Sequence, residues 1–85
     1  MVPYKVYIAH EVFSLARPAN RDRDRIISFL EILCLNPFEK VDYEENDDIG
    51  RTVQIKVLGH YALTFWADHA VREVKVTSIE KADSR

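Results

Sequence analysis

The sequence predicts an α+β domain: two N-terminal helices packed on one face of a four-stranded, mostly antiparallel sheet. Three observations lead there. Apolar and polar residues alternate through residues 51 to 79, interrupted by Gly59 and by Asp68-His69-Ala70, which reads as three consecutive antiparallel strands. Two stretches upstream carry apolar residues at helical spacing. A short alternating run opens the chain. The order is therefore strand, helix, helix and three strands. With no repeat, low-complexity tract or linker, residues 1–85 are expected to form one domain.

Tyr4 to Ile8 forms the first strand, with Tyr4, Val6 and Ile8 alternating with Lys5 and Tyr7. A short helix follows from about His10 to Ala16, where Val12, Phe13 and Ala16 make one buried stripe. Arg17-Pro18 ends it, because a residue before proline is biased away from the α region. Asn20 is placed to cap the second helix, and Asp22 and Asp24 lie near its positive end. That helix runs to about Leu35, with Ile26, Ile27, Leu30, Leu33 and Cys34 on one apolar stripe. Asn36-Pro37 stops it, and residues 38 to 50 read as a polar connection ending in Gly50. In the meander, Val53, Ile55 and Val57 alternate with Thr52, Gln54 and Lys56. Tyr61, Leu63 and Phe65 then face one way, and Ala62, Thr64 and Trp66 the other. Val74 and Val76 point inward, against Glu73, Lys75 and Thr77. The first strand pairs with the last, in a direction periodicity leaves open. Leu30 and Phe65 are expected to meet between helix and sheet.

Hydrophobic residues make up 47% of the 85, a folded composition rather than a disordered one. No apolar run approaches the ~20 residues a membrane span needs. The Met-Val-Pro-Tyr-Lys-Val start lacks the features of a signal peptide. The single cysteine, Cys34, has no internal partner, so a reducing cytoplasm is the expected compartment. The formal net charge of −2 is uneven. Asp42, Glu44, Glu45, Asp47 and Asp48 crowd one segment, leaving the rest mildly basic. That segment reads as a solvated connection, or as an acidic flap that competes with RNA or docks a basic partner.

The stretch Leu33-Cys34-Leu35-Asn36-Pro37, then Arg51-Thr52-Val53-Gln54-Ile55-Lys56-Val57, then Gly59-His60-Tyr61-Ala62-Leu63-Thr64-Phe65 and a hydrophobic Val71 to Ile79 together resemble the RelE/ParE toxin superfamily of bacterial toxin–antitoxin systems. The resemblance covers nearly the whole chain. It implies the toxin of a type II pair, inhibiting translation as a RelE-like, ribosome-dependent mRNA endoribonuclease. Its partners would be a cognate antitoxin, the ribosome and mRNA. The alternative it implies is a ParE-like gyrase poison, or a relative that acts by binding alone. Carried over by position, Arg51, Lys56 and Lys81 would hold phosphate on the open face of the sheet. Gln54 stands where a second lysine is common, Ala62 where an arginine is common, and no tyrosine follows Tyr61.

His10, His60 and His69 lack ligand partners at useful spacing, so neither a metal nor a cofactor is expected. His60 sits in the turn bordering the open face and is a candidate base. Arg17, Arg21, Arg23 and Arg25 read as an exposed face balanced by Asp22 and Asp24, or as a ridge for ribosomal RNA. Trp66, on the open face, could stack on a base or receive a partner's side chain. Phosphate-loop, nucleophile-triad and zinc motifs are missing, so other enzyme classes lack support.

Overall fold

Among the described residues seven elements succeed one another: β1 (Lys5–Ile8), α1 (His10–Ala16), α2 (Asn20–Leu35), β2 (Tyr43–Asn46), β3 (Thr52–Leu58), β4 (Tyr61–Asp68) and β5 (Glu73–Lys81). The computed structural model describes residues 2–82, without the side chains of residues 14–16. One sheet holds all the strands in the order β1-β5-β4-β3-β2. β1 runs parallel to β5, setting Val6 beside Val74 and Ile8 beside Val76. Every other pairing is antiparallel.

Helix α2 lays Ile26, Phe29 and Leu33 on Tyr61, Leu63, Phe65, Val74, Val76 and Ile79. Phe29 meets Phe65 edge to face, with centroids 5.9 Å apart. Val12 and Phe13 of α1 and Leu30 of α2 close the margin of this core, so Leu30 and Phe65 do share it. The side chain of Ala16, expected on the α1 stripe, lies outside the described residues. Helix α1 ends as expected: Arg17 adopts the left-handed conformation and its N–H donates to Phe13 O.

The structure corrects the sequence reading in several places. The sheet has five strands, not four. Tyr43–Asn46, expected within a polar connection, pairs with β3 as an edge strand. All four of its residues are exposed, so it had no apolar alternation to betray it. On α2, Phe29 belongs to the buried stripe, whereas Ile27 is exposed and Cys34 only half-buried. Asn20 is already helical; Ala19 precedes the helix and no side chain caps it.

The faces of β3 are also reversed. Lys56 lies opposite Leu63 and Gln54 opposite Phe65, so both look toward the helices. Val53 and Ile55 therefore share the other face with Ala62 and Thr64 and are buried there without a helix above them. Alternation says that two faces differ; only register says which one meets the helices. In β5 a shift in pairing at Thr64/Phe65 passes over Thr77. The bulge lets Ile79, out of step with Val74 and Val76, still reach the core.

Candidate active site

Asp22 lies in the first turn of α2, four residues before Ile26 on the same buried stripe. Only 5% of it is exposed, making it the one charged residue in the interior among those described. What it meets is the β3–β4 turn. Gly59 there has φ +64°, and a Cβ on it would fall onto Asp22 Oδ1, beside Arg25 Nη1. Glycine is thus required twice, for the left-handed backbone and for the close approach. The next residue, His60, places Nδ1 2.9 Å from Asp22 Oδ2.

Arg25 Nη1 adds a long contact of 3.5 Å to Asp22 Oδ1. The hydrogen bond from His60 leads in holding the Asp22 carboxyl below the usual carboxylate range, against burial, with the charges of His60 and Arg25 helping. An ionised carboxylate only accepts hydrogen bonds, so Nδ1 of His60 carries the proton and Nε2 is left unprotonated in the neutral ring. The His60 side chain is 87% exposed, and Nε2 is therefore open to a ligand. Lys81, at the end of β5, lies opposite Tyr61. The Ala82 N–H donates to His60 O at 2.9 Å and ties this end of β5 to the turn. Together Ala19, Asp22, Gly59, His60, Tyr61, Lys81 and Ala82 line a pocket of about 460 Å³.

No protein-family model matches the chain, and no curated protein does. Among solved structures, a chain of the archaeal RelE–RelB complex from Pyrococcus horikoshii OT3 superposes with a TM-score of 0.77 at 20% identity. The match covers 95% of this chain and 96% of that one. The chain has the RelE fold.

On this RelE fold the four site residues expected from sequence divide into groups. His60 and Lys81 come together in the pocket. Arg51 lies at the opposite end of β3, whose seven residues span roughly 23 Å at ~3.3 Å each. There Arg51 Nε donates to Asp47 Oδ2 at 2.7 Å, and its guanidinium sits 4.2 Å from the centre of the Trp66 ring. Lys75 Nζ approaches the same ring at 5.0 Å. Trp66 is on the open face, as expected, but already packed by two cations. Burial pushes the Asp47 carboxyl up, but the N–H groups of Arg51 and Ile49 and the Arg51 side chain outweigh it and hold it low.

Lys56 faces the helices instead of the open face, with Nζ 5.8 Å from the Phe29 ring. Residues of odd and even number on one unbulged strand cannot share a face, so Arg51 and Lys56 could not both have faced outward. The acidic segment is partly committed as well: Asp42 Oδ2 accepts the Val57 N–H at 2.8 Å, and Asp47 closes the β2–β3 turn. Of the arginine ridge, Arg23 packs over Phe13 and Arg25 reaches Asp22. Asp22 was not among the expected site residues, though the structure places it in the pocket. Its signal was available: extending the Leu33, Phe29, Ile26 stripe back one turn lands on it.

Among the described residues no group of three or more His, Cys, Asp or Glu could hold a metal ion. No helix among them is long and apolar enough to cross a membrane. What the pocket does offer is an imidazole oriented by a carboxylate and a nearby ammonium, the parts needed to move a proton beside an anion.

Proposed function

We infer that this chain is the toxin of a toxin–antitoxin pair and inhibits translation by cutting mRNA on the ribosome. The RelE fold over nearly the whole chain is the observation that supports this reading, by analogy of fold. The chemistry of the pocket fits it, since RNA cleavage by the 2′-hydroxyl needs a base and a cation and no cofactor. Arg51, on the open face, would have to leave Asp47 and Trp66 to hold the RNA backbone. A small antitoxin would be the resting partner. Exposed Val2, Leu35, Phe38 and Val71 supply apolar surface for it to cover.

A second reading, action by binding alone, is favoured by one observation: Arg51 and Lys56 are packed against aromatic rings rather than presented. Inducing the chain alone in bacteria separates the two. Loss of amino-acid incorporation within minutes is expected for the ribonuclease. Filamentation with intact translation would point to gyrase, and normal growth to an inert relative. Co-expression with a small antitoxin encoded beside this chain should restore growth and raise the melting temperature.

A further inference from the structure

We propose that RNA is cut in the pocket at the end of the sheet, with His60 as the base, Asp22 as the residue that positions it, and Lys81 as the phosphate clamp. The site rests on the ribonuclease reading and locates the reaction about one strand length from Arg51. Three features converge there. A carboxylate in the protein interior is directed at an exposed imidazole, an arrangement that fixes the ring and its tautomer. A glycine turn admits no side chain between them. Lys81 lines the same pocket and makes no ion pair among the described residues. At about 460 Å³ the pocket accepts a nucleotide-sized group.

The reaction follows from the placement. Nε2 of His60 takes the proton of a ribose 2′-hydroxyl, and that oxygen attacks the adjacent phosphorus. The P–O2′ bond forms as P–O5′ breaks on the opposite side of the phosphorus; the departing 5′-oxygen takes a proton from solvent, and the imidazolium gives its own back to solvent. Lys81 opposes the charge that builds on the non-bridging oxygens. Asp22 stays ionised and stabilises the transient imidazolium. The products are a 2′,3′-cyclic phosphate and a 5′-hydroxyl, with no water or cofactor consumed. The substrate class is therefore single-stranded RNA with an intact 2′-hydroxyl at the cut.

Cleavage of mRNA by the purified chain on programmed ribosomes tests this. His60→Gln should lower the single-turnover rate at least 100-fold. Lys81→Met should lower it about 100-fold, with Lys81→Arg recovering most of the loss. Asp22→Asn should cost about tenfold and displace the acid limb of the pH–rate profile, a change that mere loosening of the fold would not produce. His69→Gln, at the far end of β4, should stay within twofold. A 2′-deoxy residue at the cut site should abolish cleavage. Absence of cleavage by the wild-type chain sinks the ribonuclease reading itself. Wild-type cleavage that survives in His60→Gln and Lys81→Met, but is lost in Arg51→Ala, moves the reaction to the open face and overturns this site alone. Should His60→Gln fail to fold, Lys81→Met carries the decision.

Discussion

The two ends of β4 each carry a histidine, and the two are built differently. At the start of the strand, His60 gives its Nδ1 proton to a carboxylate in the interior and opens onto a pocket with Lys81. At the other end, His69 Nδ1 lies 2.8 Å from the Tyr4 hydroxyl and its ring stacks on Phe38, with centroids 4.8 Å apart. The cavity beside that end is lined by Val2, Tyr4, Leu35, Asn36, Pro37, Phe38 and Arg72. One ring is held by charge and left open; the other is held by a neutral hydroxyl and an aromatic face. The same side chain is thus left open to solvent at one end and packed at the other.

The largest effect should fall on both ends together. Phe65 lies mid-strand, fully buried against Phe29. Phe65→Ala should cost about 3–5 kcal/mol in urea unfolding, and a cost below 1 kcal/mol would mean the strand does not anchor the fold. Next comes a contrast of turns. Gly59 and Gly50 both have positive φ, at +64° and +79°, but only Gly59 has a neighbour in the way. Gly59→Ala should cost about 2–4 kcal/mol, the left-handed strain plus a displaced Asp22. Gly50→Ala should cost roughly 1–2 kcal/mol from strain alone. Equal losses would deny the close approach of turn and helix.

Acid stability sharpens the contrast further. Asp22 is held below its unfolded value, so its contribution is complete above about pH 4 and is lost as pH falls through the lower folded value. Melting of the wild type and Asp22→Asn should therefore converge as the pH is taken from 5 to 2. Asp47→Asn should behave likewise, because Asp47 is also held low. A gap that widens in acid would contradict both assignments. The smallest effect belongs to the far end: Tyr4→Phe removes one exposed hydrogen bond and should cost no more than about 1 kcal/mol.

How far the sequence could be read follows the same divide. The β-α-α-β-β-β order, the core face of β4 and the proline-bounded helices were legible, because burial there imposes a clean period. Strand β2 was not, since Tyr43-Glu44-Glu45-Asn46 is recruited by backbone pairing with β3 and buries nothing. The sides of β3 were misread because Lys56 lies on the helix-facing side, with Nζ 5.8 Å from the Phe29 ring, and a long stem can carry a charge over apolar surface. At the candidate site, His60 and Lys81 could be singled out from sequence, and the structure brings both to one pocket. Their meeting with Asp22 depends on where α2 crosses the sheet, which no local pattern encodes.

Everything proposed for the pocket depends on the Asp22 carboxylate fixing the His60 ring with Nε2 free. Long-range proton–nitrogen correlation of the histidine rings in mildly alkaline buffer tests it directly. His60 should show the Nδ1-protonated tautomer in the wild type and lose that preference when Asp22 is replaced by alanine. A His60 ring protonated at Nε2 in the wild type, unchanged by Asp22→Ala, would mean that Asp22 does not hold the ring.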